Sequence, residues 1–256
     1  MPAIPGFWHV GPHAPFLVED TWNEFVRSNG GRRVADELSK SPNFENADYI
    51  FDPPGFVAEL KEVVTEFGRA HAFQSGYDAL MKRLIGEDPT WRPMLFGGDE
   101  KYPPWFPGEF LRLFRQPIAR ILKKANRQLR ETKEHYGLQG PNGVLILVND
   151  GLTDLSPDLV RSLACDILIH SYTSIDCLVY MTCNRYIEVK GSNVPRLLWA
   201  PAYSDKATDS LHQFINDLGR KWRRFLEGKF GPFPDVAVET DSDTIIRGSR
   251  AITIPG

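Results

Sequence analysis

Two short apolar runs on either side of a turn constrain this chain more than any other feature. Ala47-Asp48-Tyr49-Ile50-Phe51 and Phe56-Val57-Ala58-Glu59-Leu60-Lys61-Glu62-Val63 read as strands, and Asp52-Pro53-Pro54-Gly55 between them has the residues of a chain reversal. The spacing predicts a β-hairpin. Side chains alternate faces along a strand, so Glu59 and Lys61 share one face while Ala58 and Leu60 share the other. A tight hairpin brings Asp48 near Glu59. Two carboxylates at that separation repel unless a cation lies between them, and an all-oxygen site open to water suits Mg²⁺ or Mn²⁺.

The rest of the chain alternates helical and strand patterns. Residues 1–18 carry four prolines and two glycines and are expected to form an extended N-terminal arm. Residues 19–41 read as helical, with Trp22, Phe25 and Val26 on one face and a break at Gly30-Gly31. A helix after the hairpin is expected to run to about residue 85, followed by a Pro/Gly/Trp-rich loop over 86–108. Residues 110–136 predict a long helix ended by Gly137, with Pro117 as a kink point. Residues 143–148 predict a buried strand, and 155–169 a helix with Ser156 as its N-cap and Pro157 at its first position. A strand over 175–182, a partner strand over 186–189 and a late helix over 211–226 complete the pattern. The order argues an α/β protein with a mixed central β-sheet flanked by helices. It is expected to form one domain over residues 19–228, with an insertion at about 66–108 and an irregular tail over 229–256.

Composition bounds the function. A chain of 256 residues with 42% hydrophobic content can bury one large core. The net charge of -3 excludes a wholly basic nucleic-acid coat, so phosphate binding must come from a local basic surface. The three cysteines, in or near apolar runs, make no disulfide framework and point to a reducing compartment. With no signal-peptide pattern and no apolar run of the roughly 20 residues that span a bilayer, the expectation is a cytoplasmic protein without a membrane partner.

Asp48, a turn, and then Glu59-Leu60-Lys61 within an apolar strand resemble the PD-(D/E)xK nuclease superfamily, the restriction-endonuclease-like fold. The resemblance implies that Asp48 and Glu59 hold Mg²⁺ or Mn²⁺, with the Leu60 carbonyl as a further ligand, and that Lys61 positions the attacking water. It also implies a supporting Gln on the helix before the next core strand, which Gln128 matches, and at times a Glu from the first helix, for which Glu37 is the nearest candidate. Hydrolysis would leave a 5′-phosphate and a 3′-hydroxyl. DNA is the expected substrate over RNA, since most of the family cuts DNA, and a homodimer stays open. Two features depart from the family pattern. Ala47 stands where a Pro is usual before the Asp, and no strand ahead of the Asp strand is evident.

Other signals are weighed beside this one. Asp176 followed by Glu188-Val189-Lys190 is a second match to the same motif, but it falls late in the chain, where Glu188 and Lys190 suit a solvated strand edge. Lys123, Lys124 and Arg127 belong to a basic helix that reads either as a phosphate-binding surface or as a solvated face with pairs such as Arg127 with Glu131. Trp222, within a second basic cluster, reads as a core anchor. Apart from a nuclease, the fold could serve as an inactive module that binds nucleic acid or a protein.

Overall fold

The computed structural model describes residues 13–38, 42–91, 102–188, 196–233 and 250–253. Helix α1 spans Val18–Ser28; strands β1, β2 and β3 span Gly31–Arg33, Tyr49–Phe51 and Phe56–Val63. Helices α2 (His71–Glu87) and α3 (Phe106–His135) follow, then β4 (Gly143–Asn149), α4 (Pro157–Ser171), β5 (Cys177–Met181) and β6 (Arg185–Glu188). Strand β7 (Trp199–Tyr203), helix α5 (Asp209–Phe230) and strand β8 (Arg250–Thr253) complete the order.

Six strands form one mixed sheet in the order β1-β2-β3-β4-β5-β7. The β1–β2, β2–β3 and β5–β7 pairs are antiparallel, and β3–β4 and β4–β5 are parallel. The expected α/β class with a mixed, helix-flanked sheet is therefore observed. Parallel neighbours need a crossover, and α2 with α3 supplies the one between β3 and β4. Helices cover both faces. On one, Ile118, Leu122, Ala125 and Leu129 of α3 and Ala164 and Ile167 of α4 bury Ile50, Val57, Leu145 and Leu147. On the other, Trp22 and Phe25 of α1 and Ile215 and Trp222 of α5 bury Tyr49, Ala58, Val144 and Ile146. β4 is buried along its whole length, which is why it reads as a continuous apolar run. Trp222 is a core residue, as its sequence context argued.

Several expectations need correction. The break at Gly30-Gly31 does not join two helices; it admits β1, the strand that the sequence did not reveal. Gly30 takes φ +80°, and a Cβ at Gly31 would lie 2.6 Å from Phe51 and from Val26. Without a side chain at 31, β1 can lie flat against β2. Strand β6 does not join β5 but pairs with β8 in a separate two-stranded sheet. The tail from 229 is thus not irregular throughout, since α5 runs to Phe230 and β8 lies within it. The strand neighbouring β5 is β7, centred on Pro201, a residue that hid it from propensity reasoning. The ladder to β5 uses Leu198 on one side and Ser204 on the other, which turns Pro201 to the outer edge. There Arg161 of α4 donates to the Pro201 carbonyl at 3.0 Å. No helix among the described residues is long and apolar enough to cross a membrane.

Candidate metal centre

The hairpin has the register the sequence predicted. Tyr49 faces Ala58 and Phe51 faces Phe56, so one step before β2 Asp48 lies opposite Glu59. β2 ends there, which would leave the Leu60 N–H without a strand partner. The Asp48 Oδ2 accepts it at 2.8 Å. Backbone N–H and C=O of one strand residue point to the same edge. The Leu60 carbonyl therefore faces the Asp48 side, as a further oxygen ligand would require.

Glu59 is the anomaly of the sheet. It sits on a central strand between Val57 and Val63, register-paired with Leu145 of β4, on the face that α3 covers. Its relative exposure is 0%, and Oε2 has no hydrogen-bond partner among the described residues. Oε1 is paired with the Lys61 ammonium, whose side chain is 21% exposed. Burial first, and the neighbouring Asp48 carboxyl second, push Glu59 up to about 8, with Lys61 pulling the other way. Burial also raises Asp48 above the usual carboxylate range, opposed by the Leu60 N–H and by Lys61. The two carboxyls face one another across the hairpin, and the charge of Asp48 raises Glu59. Two acids so arranged keep a proton between them or take up a cation.

The structure thus gathers Asp48, Glu59, Leu60 and Lys61 at one place. Gln128 lies beside it but touches neither carboxyl. Its Nε2 donates to the Asn46 carbonyl at 2.9 Å, and its Oε1 is buried without a partner among the described residues. Glu37 is engaged elsewhere. It lies beyond α1, is paired with Arg32, and accepts the Tyr136 hydroxyl at 3.0 Å. The acid of the first helix that does reach the site electrostatically is Glu19, in the first turn of α1, which raises Asp48 while pairing with Arg33 at 3.2 Å. Its place in that first turn, just ahead of the Trp22 face, was the available signal.

Among the cations, Lys123 and Lys124 are exposed on α3 and form no ion pair among the described residues. Arg127 pairs with Glu45, its Nε donating at 3.0 Å, rather than with Glu131. Asp176 proves structural: it accepts the Gly143 N–H at 2.9 Å and faces Lys133 at 3.7 Å, which ties β5 to the start of β4. Lys190 of the competing motif lies outside the described residues.

The donor set is small. Among the described residues no group of three or more His, Cys, Asp or Glu side chains converges on one point. Two carboxyls and one carbonyl are oxygen donors of the kind that Mg²⁺ or Mn²⁺ takes, such ions filling the rest of their shell with waters or substrate oxygens. The unpartnered Oε2 of Glu59 is the atom that such an ion would satisfy. Compared with protein-family models, curated protein sequences and solved structures, the chain matches none.

Proposed function

We propose that this protein is a metal-dependent nuclease of restriction-endonuclease-like fold, hydrolysing phosphodiester bonds, with DNA favoured over RNA. The observation that carries the reading is Glu59: a carboxyl in an apolar layer, with an unpartnered oxygen, set against Asp48 and Lys61. A buried acid without a full set of partners is costly and is expected where chemistry requires it. The strand ahead of the Asp strand, which the family resemblance calls for, is present as β1 and supports the same reading.

Asp48, Glu59 and the Leu60 carbonyl would hold the ion. A bound Mg²⁺ or Mn²⁺ would polarise the scissile phosphate and offset the charge that develops on it. The chain's own groups do the rest. Lys61 carries an ammonium at the rim of the site and can hold a water or a phosphate oxygen by hydrogen bonding. Asp48 keeps its geometry through the Leu60 N–H. Lys123 and Lys124 supply positive charge for a phosphate backbone along α3. The test is incubation with plasmid and oligonucleotide substrates in Mg²⁺, Mn²⁺ or EDTA. Cleavage that vanishes with EDTA, in Asp48→Ala and in Lys61→Ala supports the enzyme. Equal cleavage by both variants sinks it.

One observation favours a second reading, an inactive module that keeps the fold. Glu59 has no exposed surface, and Lys61 is paired with it. In that reading the pair is a fixed part of the core, and nucleic acid or a protein is bound without cleavage. Binding indifferent to Asp48→Ala, with no uptake of Mn²⁺, is its signature.

A further inference from the structure

Among the described residues, the segment that leads into β2 pairs with no strand, and one flank of α3 meets its backbone. The Glu45 N–H donates to Glu131 Oε2 at 2.8 Å, and Gln128 Nε2 donates to the Asn46 carbonyl at 2.9 Å. The Ala47 N–H donates to Thr132 Oγ1 at 2.7 Å. Three consecutive residues are thereby held by positions 128, 131 and 132, which share one side of a helix. Ala47 and Thr132 both have 0% exposure, so the third bond has no water to replace it. Thr132 is β-branched, which restricts where its hydroxyl can sit. The next residue is Asp48, whose carboxyl then accepts the Leu60 N–H and which lies opposite Glu59 in the hairpin register.

We infer that Thr132, assisted by Glu131, is a positioning residue that sets the Asp48 carboxyl against Glu59, so that the place of α3 fixes the spacing of the two acids. This rests on the reading of Asp48 and Glu59 as a cation site. The opposite flank of α3 offers a matched control, since Asn126 Oδ1 accepts the Ser174 N–H at 2.9 Å far from the carboxyls. Loss of either bond loosens α3 against a neighbouring segment, but only the Thr132 bond leads to Asp48.

The test uses the full chain with Thr132→Val, Thr132→Ser, Glu131→Ala and Asn126→Ala. Two readouts are followed beside thermal stability: exchange of the Leu60 amide hydrogen, and affinity for Mn²⁺ alone by titration calorimetry. Thr132→Val is expected to speed Leu60 exchange about tenfold and to weaken Mn²⁺ binding by about 10- to 100-fold, the range of partners that orient a ligand. Thr132→Ser restores both. Glu131→Ala, at a partly exposed position, shifts both in the same direction by less. Asn126→Ala lowers stability and moves neither. If Thr132→Val and Glu131→Ala leave Leu60 exchange where Asn126→Ala leaves it, the positioning role is overturned. If Leu60 responds but the unaltered protein takes up no Mn²⁺, the positioning of Asp48 is upheld and the cation reading falls.

Discussion

The Leu60 N–H and the Asp48 Oδ2 are joined at 2.8 Å where β2 runs out, so a side chain takes over from a strand in satisfying the edge of β3. Asp48→Ala should cost about 1–3 kcal/mol, because a part-buried donor is left orphaned. Asp48→Asn keeps an acceptor oxygen there and should cost less, yet both variants should lose Mn²⁺ binding. Denaturant unfolding at pH 7 with and without Mn²⁺ checks this; a variant that retains metal-dependent stabilisation contradicts it.

Glu59 gives the protein a pH dependence of definite sign. Its carboxyl lies at about 8 when folded against an ordinary 4.5, so the folded state holds a proton that the unfolded chain has released. Stability from this group is full below the unfolded value and is lost as pH rises through about 8. Glu59→Gln should flatten that decline and stabilise the metal-free protein at pH 9 by roughly 1–4 kcal/mol, as neutral replacements of buried charge often do. Mn²⁺ affinity of the unaltered protein should rise over the same interval, because the ion must displace the proton. A melting temperature that does not fall between pH 6 and 9 would contradict this placement of Glu59.

Under the nuclease reading, Lys61 should affect metal binding and turnover in opposite directions. Its ammonium pairs with Glu59 and so competes with a cation for that oxygen. Lys61→Met keeps the aliphatic stem that covers the site and removes the charge. Mn²⁺ should bind as well or better, while cleavage falls by about 10²- to 10³-fold, the usual cost of losing one donor that stabilises the transition state. Weaker metal binding together with unchanged cleavage would reverse the assignment.

The basic flank of α3 makes a separate prediction. Lys123→Ala with Lys124→Ala should weaken nucleic-acid binding equally across sequences. The slope of log affinity against log salt should fall by about 0.9 for each duplex phosphate that is no longer neutralised, or about 0.7 on a single strand. Arg127→Ala should do less, since Arg127 already holds Glu45. Measurement of binding at several salt concentrations decides the matter; an unchanged slope in the double variant removes Lys123 and Lys124 from the interface.

The hairpin geometry of the candidate site was largely legible in the sequence because alternation along a strand is local. Parity alone put Glu59 with Lys61, and the turn brought Asp48 across. β1 and β7 were hidden by their composition. Gly31 is there for a close approach to Phe51, and Pro201 survives in a strand only because it faces outward. A broken helix over residues 19–41 would make Glu37 the natural acid of the first helix. β1 instead brings Val34, whose N–H donates to the Asp48 carbonyl at 2.9 Å, beside the site, and Glu37 turns to Arg32 and Tyr136. The bonds from Glu131 and Thr132 to Glu45 and Ala47 span more than eighty residues, and no periodicity encodes such a pairing. Full burial of Glu59 depends on how α3 lies across β3, which only the folded chain reveals.

The far side of the sheet limits how copies of this chain can associate. An incoming strand beside β7 would meet a residue without an amide hydrogen at its centre, and a carbonyl that Arg161 already claims. Growth of the sheet into a neighbouring molecule is blocked there, along with the runaway stacking that bare strand margins invite. Any two copies that associate would therefore have to do so other than by adding strand to strand at this margin.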